Sequence, residues 1–293
     1  MPVQDPVVAE QTPAEDMTID QKWDRYSSEE HAIWTTLYKR QMEVLKGRAA
    51  DEHFKGLELL NLNEGGIPDF RRVNEKLEKL TGWTVVTVPG LIGEKEFYDH
   101  LANRRFVSGR FIRDGHKLDY LPEPDIFHDV FGHVPLLTQP VFADYMQAYG
   151  KGGLRSLEFD TITNMARLYW YTVEFGLINT PEGRRIYGAG IVSSKAESIF
   201  SLEAQSPNRI HFDLERVMRT DYRYDDFQQT YFVIDSYDEL MEATYQDFAP
   251  LYERLPNLSE YKPSDVAEGD KVYSRGSQDY ATNGGLIGHA EAV

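Results

Sequence analysis

The chain has 293 residues, enough to bury a sizeable core as one large domain or two small ones. Its 41% apolar and 27% charged residues exclude a wholly disordered chain, and no apolar run approaches the roughly 18 residues of a membrane helix. Cysteine is absent, which excludes disulfides, thiolate metal sites and cysteine nucleophiles together, and a formal net charge of −17 makes nucleic acid an unfavourable partner.

Residues 1–20 carry five acids, no base, and Pro2, Pro6 and Pro13, so they read as a disordered acidic arm. They show neither the basic start nor the apolar stretch of a secretory signal, and with the lack of cysteine this points to the cytoplasm. Ser27 with Glu30 three residues on has the form of a capping box and opens a helix over 31–45. Apolar periodicity predicts helices over 51–60, 68–80 and 94–103, and strands at 84–88 and 106–112. Helices follow over 138–149, 158–178, 194–204, 211–219 and 236–253, with weaker strand patterns at 185–188 and 230–235. Residues 259–293 end in glycines and isolated charges and read as a loosely ordered C-terminal tail. No linker or repeat divides residues 21–258, so the expected fold is mainly α (α+β): a single catalytic domain of many helices with a few short strands. Aromatic residues make up 13% of the chain, which favours a core or pocket rich in rings.

The densest chemical signal is PEPDIFHDVFGHVP over 122–135. His128 and His133 lie five apart, which on an ideal α-helix rotates them by about 140°. They converge only if the helix bends or ends near Gly132, and Pro135 favours an ending there. The spacing is not that of the HExxH zinc motif. The second signal is LYWYTVEFGLI over 168–178, an almost wholly apolar helical pattern with Glu174 as its one acid. A buried carboxylate needs a cationic partner, a proton or a metal, and Arg155 and Arg167 are the nearby cations in sequence. Taken together, two imidazoles and one carboxylate match the facial triad of non-haem iron(II) oxygenases, while the same donor types also serve zinc hydrolases.

These stretches resemble the pterin-dependent aromatic amino acid hydroxylases. The matching blocks are PEPDIFHDVFGHVPLL (122–137), ARLYWYTVEFGL (166–177), RIYGAGIVSSKAE (185–197) and FIRDG followed by Tyr120, in the family's order over about residues 24–250. The short chain is most similar to the single-domain bacterial members that act on phenylalanine. The resemblance implies Fe(II) held by His128, His133 and Glu174, and tetrahydrobiopterin or a related tetrahydropterin as co-substrate with O2. It implies that Arg113 pairs with the carboxylate of L-phenylalanine, a task suited to a planar two-pronged donor. Pro124, Trp170, Phe175, Ser193 and Ser194 match substrate-facing positions. Leu91, Phe97, Asp129 and Tyr169 match positions on the pterin side, with Phe97 stacking on the pterin ring. Asp129 and Leu121 depart from the animal members, which have Glu at the first and Thr or Ser at the second. Read from the residues alone, Ser193 and Ser194 are a helix cap and the rings are core. The lack of room for the tetramerisation helix of the animal members favours a monomer, while the acidic charge and the absence of a long apolar run point away from nucleic acid and membrane partners. Tryptophan as substrate, a zinc hydrolase and a non-enzymatic binding protein that keeps the fold are the alternatives.

Overall fold

Parallel strands need a crossover between them, and the first pair in this chain is joined by a helix. In a computed structural model, which describes residues 5–62, 65–119 and 123–283, β1 (Thr84–Thr87) and β2 (Arg105–Ser108) pair in parallel, with Thr84 opposite Arg105. The helix Glu94–Ala102 connects them. Burial alternates along both strands, so Val85 and Thr87, Phe106 and Ser108 point inward. The preceding helix, Phe70–Thr81, is opened by the Asp69 carboxylate, which accepts the Arg71 N–H, and closed by Gly82 at φ 74°. The capping box is present as expected: the Ser27 hydroxyl accepts the Glu30 N–H and Glu30 accepts the Ser27 N–H, ahead of the helix Ser28–Leu45.

The chain separates into two compact units, Met1–Glu43 with Asp51–Arg155 and Val44–Ala50 with Ser156–Val293. In the first, the helix expected over 138–149 runs on as Pro140–Ser156. Gly150 and Gly153 do not stop it, because they are where other groups come close. A Cβ on Gly150 would lie 2.4 Å from the Ala102 nitrogen, and one on Gly153 2.0 Å from the Tyr98 ring. The expected acidic arm is also different over residues 5–20. Asp5 caps the turn Pro6–Ala9 and ion-pairs with buried Arg110, Asp16 pairs with Arg105 at 2.8 Å, and Ile19 donates its N–H to Thr87 at 2.9 Å. The acids that make the segment look loose in sequence are the groups that dock it.

The second unit is built on a five-stranded sheet in the order β4-β3-β6-β5-β7. Its strands are β3 (Leu177–Thr180), β4 (Gly183–Ile186), β5 (Asn208–His211), β6 (Thr230–Ile234) and β7 (Val272–Ser274). β3 and β4 form an antiparallel hairpin, β6 lies parallel to both β3 and β5, and β7 closes the far edge antiparallel to β5. All five residues of β6 are buried, as its central position requires. Here the expected elements shift. The long helix over 158–178 ends at Glu174, and its last apolar residues become β3. The start of the expected 211–219 helix is taken by β5, leaving Leu214–Met218. The 236–253 helix divides into Tyr237–Thr244 and Ala249–Arg254, with Pro250 in the first turn of the latter. Residues 259–283 are partly ordered, since β7 joins the sheet and Arg216 pairs with Asp270 at 3.1 Å, both under a tenth exposed. Among the described residues no helix is long and apolar enough to cross a membrane.

Candidate metal centre

The two histidines converge because their helix is not an α-helix. Residues Phe127–His133 form a π-turn. A π-helix closes its hydrogen bonds over five residues and is wider than an α-helix, so side chains five apart come much closer to one face than they do on an α-helix. The Nε2 atoms of His128 and His133 are 3.2 Å apart, and both residues are buried. Rings lock the turn: Phe127 stacks on Phe131 at 4.7 Å, Trp34 meets Phe127 at 5.2 Å, and Phe106 lies 4.8 Å from the His133 ring.

Asp125 fixes the start of this turn. Its fully buried carboxylate accepts the His128 N–H at 3.0 Å, the Arg113 N–H at 3.0 Å, and the Arg113 Nε–H and Nη2–H at 2.8 Å each. Arg113 Nη1 donates to the Leu118 carbonyl at 3.0 Å. The predicted substrate arginine is thus held side-on by an aspartate absent from the expected site. An Asp three residues before His128 has cap spacing, and that is the signal that could have found it. Asp129 is half-buried and accepts the Gly109 N–H at 2.8 Å, while Pro124 is exposed. Phe97 is half-buried in the helix Glu94–Ala102 with its ring edge-on to Tyr98 at 5.6 Å, and Leu91 is 84% exposed. Leu121 and Tyr120 lie outside the described residues.

Glu174 closes a second π-turn, Trp170–Glu174, in which the Phe175 N–H reaches back five residues to the Trp170 carbonyl at 2.8 Å. Tyr169 ends the α-helix before it. Trp170, Glu174 and Phe175 are each half-buried, the two rings 4.7 Å apart. Two glycines of the GAG segment explain how the backbone beside Glu174 is packed. A Cβ on Gly188 would lie 2.4 Å from the Glu174 carbonyl oxygen, and one on Gly190 3.1 Å from its Oε2. Arg167, a cation considered for Glu174, ion-pairs with Glu260 at 2.9 Å. Ser193 Oγ donates to the Ala189 carbonyl at 2.8 Å, and Ser194 Oγ caps the helix Lys195–Glu203 by accepting the Glu197 N–H at 3.3 Å.

One ligand atom each of His128, His133 and Glu174 lies within 4.8 Å of the other two. Two nitrogens each roughly 2 Å from one ion at a right angle stand roughly 3 Å apart, so the histidine pair fits a shared metal. The donor set, two imidazoles and one carboxylate, is that of non-haem iron(II) sites with open positions.

The comparisons with known proteins agree with this chemistry. Residues 20–265 match the family model of the biopterin-dependent aromatic amino acid hydroxylases. The phenylalanine-4-hydroxylase of Caulobacter vibrioides is 63% identical over 277 residues, covering 94% of each chain. That of Chromobacterium violaceum is 57% identical over 265 residues, covering 90% of this chain and 89% of its own. The iron- and phenylalanine-bound crystal structure of the C. violaceum enzyme superposes with a TM-score of 0.85 at 56% identity, over 88% of this chain and 94% of that one. Its structure with iron(III) and 7,8-dihydrobiopterin gives 0.88 at 54% identity, over 93% and 100%. The mainly helical fold with few strands is therefore that of these enzymes, and the chain belongs to the biopterin-dependent aromatic amino acid hydroxylase family.

Proposed function

We propose that the protein is a phenylalanine 4-monooxygenase, converting L-phenylalanine, O2 and a tetrahydropterin into L-tyrosine and a hydroxylated pterin. His128, His133 and Glu174 are the residues that hold Fe(II). The observation that carries this reading is the clustering of their ligand atoms within 4.8 Å, in a chain 63% identical to a phenylalanine-4-hydroxylase. Bound iron and tetrahydropterin supply the oxygen activation and the two electrons that the hydroxylation needs.

The protein's own residues position, orient and exclude water. Neutral imidazoles and one carboxylate satisfy one side of the ion and leave positions for small ligands. Arg113 is assigned to the substrate carboxylate. Three of its five N–H donors are committed to Asp125 and Leu118, which fixes the plane of the guanidinium and leaves two for a ligand. Trp170, Phe175 and Pro124 are assigned to the substrate ring, and Ser193 and Ser194 to the backbone segment beside it. Leu91, Phe97, Asp129 and Tyr169 are assigned to the pterin, with Phe97 supplying a flat face for stacking. No nucleophile or general base is required of the protein. The enzyme is read as a cytoplasmic monomer, which gel filtration and fractionation test.

The deciding experiment incubates purified protein with Fe(II), O2, a tetrahydropterin and L-phenylalanine, with L-tryptophan in parallel, and quantifies products by chromatography. Tyrosine formed only when iron and pterin are both present is the expected result. Hydroxytryptophan in place of tyrosine would reassign the substrate, and turnover independent of pterin would overturn the reaction class.

A further inference from the structure

Trp170 carries the indole assigned to the substrate ring, and its N–H is not left to solvent. It donates to Gln228 Oε1 at 2.9 Å. Gln228 is 3% exposed. Its Nε2 donates to the carbonyls of Arg223 at 2.8 Å and Asp226 at 3.3 Å, so the amide has one orientation and its oxygen must face the indole. Tyr222 stacks on the indole at 4.3 Å with 19° between the planes. The hydrogen bond therefore sets the in-plane rotation of a ring whose tilt is already set by stacking.

Gln228 is held in turn. Its backbone N–H donates to Glu197 Oε1 at 3.4 Å, and the same oxygen accepts the hydroxyl of buried Tyr231. Glu197 is buried in the first turn of the helix that Ser194 caps. One side chain thus ties the Ser193–Ser194 segment to the loop that holds Trp170, two places where the amino acid is expected to rest. Among the described residues the buried Glu197 carboxyl accepts from the Gln228 N–H and the Tyr231 hydroxyl, and burying a carboxyl for so few bonds is costly unless the order it imposes is used.

We infer that Gln228 and Glu197 are positioning residues of the amino acid site, Gln228 fixing the Trp170 indole through one hydrogen bond and Glu197 fixing Gln228. This rests on Trp170 being a substrate contact. The step it governs is binding of the aromatic ring, so its signature is in the KM for phenylalanine rather than in kcat or in the pterin KM.

The test is a double-mutant cycle on the iron-loaded full chain at saturating pterin. Gln228→Met is expected to raise the phenylalanine KM by roughly threefold to tenfold, the span of one neutral hydrogen bond, with kcat changed less than about twofold. Trp170→Phe is expected to raise it too, and Gln228→Met added to Trp170→Phe is expected to raise it no further. If Gln228→Met does not fold, Glu197→Gln and Glu197→Ala replace it. The amide keeps an acceptor and is expected to leave KM near the wild-type value, while the alanine variant is expected to raise it only when Trp170 is present. Equal KM increases with and without the Trp170→Phe substitution, or no increase in either background, would overturn the inference. An unchanged KM in Trp170→Phe alone would instead overturn the reading of Trp170 as a substrate contact.

Discussion

The two π-turns carry the candidate ligands, and they are held by different physics. The first, Phe127–His133, is buried almost throughout and is fixed by charge and by rings: Asp125 takes four hydrogen bonds at its start, and Trp34, Phe106 and His53 pack on its side chains. The second, Trp170–Glu174, leaves Trp170 and Glu174 half-exposed and is fixed by close backbone approach, with Gly188 against the Glu174 carbonyl. A π-turn is less favourable than a continued α-helix, so each needs an external constraint. A buried aspartate supplies it once and a pair of glycines supplies it once. Each turn is therefore vulnerable in its own way, the first to loss of a charge and the second to gain of a methyl group.

The largest expected effect comes from removing the ligand that the second turn presents. Glu174→Gln is expected to lower iron content, read by elemental analysis, and to cut tyrosine formation by at least about 100-fold, the loss that even a supporting partner of a metal ligand can cause. Wild-type iron and turnover would refute the ligand assignment. Next is the charge that holds the first turn. Asp125→Asn leaves the Arg113 guanidinium, 5% exposed, without its counter-ion. Breaking such a pair costs about 3–5 kcal/mol, so the urea midpoint should fall steeply. Gly188→Ala should cost about 1–3 kcal/mol, the usual range for over-packing, because its Cβ would begin 2.4 Å from the Glu174 oxygen and 2.5 Å from the Gly176 nitrogen, both backbone atoms that must be displaced. Its distinguishing mark is weakened iron binding at temperatures where the chain remains folded. Equal iron affinity in folded Gly188→Ala would mean that the glycine serves packing alone.

Much of this was legible in the sequence, and the failures have identifiable causes. The helix at 51–60, the first strand and the capping box follow from local pattern and appear where expected, while the strand expected over 106–112 starts at Arg105 and ends at Ser108. The blocks around His128, His133 and Glu174 resemble the family strongly enough to name ligands that residue spacing alone left open. Helical geometry misled there, because a five-residue separation diverges on an α-helix and converges on a π-turn. The strands β3, β5 and β7 were missed because each is three or four residues long and owes its pairing to partners distant in sequence. Residues 5–20 look disordered by composition, yet Arg105 and Arg110, far along the chain, give their acids partners. Asp125 and Gln228 were missed for a related reason: their partners are an arginine and an indole whose proximity only the fold creates.

The smallest expected effect is a pH dependence that separates the two turns. His53 packs edge-on against Phe131 of the first turn at 5.2 Å, and burial pushes its pKa down to about 3. The unfolded chain therefore takes up a proton that the folded one refuses. The stability this neutral imidazole contributes is full above its ordinary value of 6.5 and is lost as pH falls from there toward 3. Glu197, joined to the second turn through Gln228, is pushed up to about 7 by burial, against hydrogen bonds from Tyr231 and Gln228 that favour the charged form. Its contribution is full below its ordinary 4.5 and is lost as pH rises through about 7. Urea midpoints measured from about pH 4 to about pH 8 should fall at both ends, because each buried group must gain its charge there. The two contributions oppose each other between pH 4.5 and 6.5, so His53→Leu should remove the acid limb and leave a midpoint that falls with rising pH from 4.5 to about 7, while Glu197→Gln should remove the alkaline limb and leave one that falls as pH drops from 6.5. A limb that keeps its slope after its residue is replaced would assign that limb to another group, and with it the claim that burial alone keeps these two side chains neutral would fall.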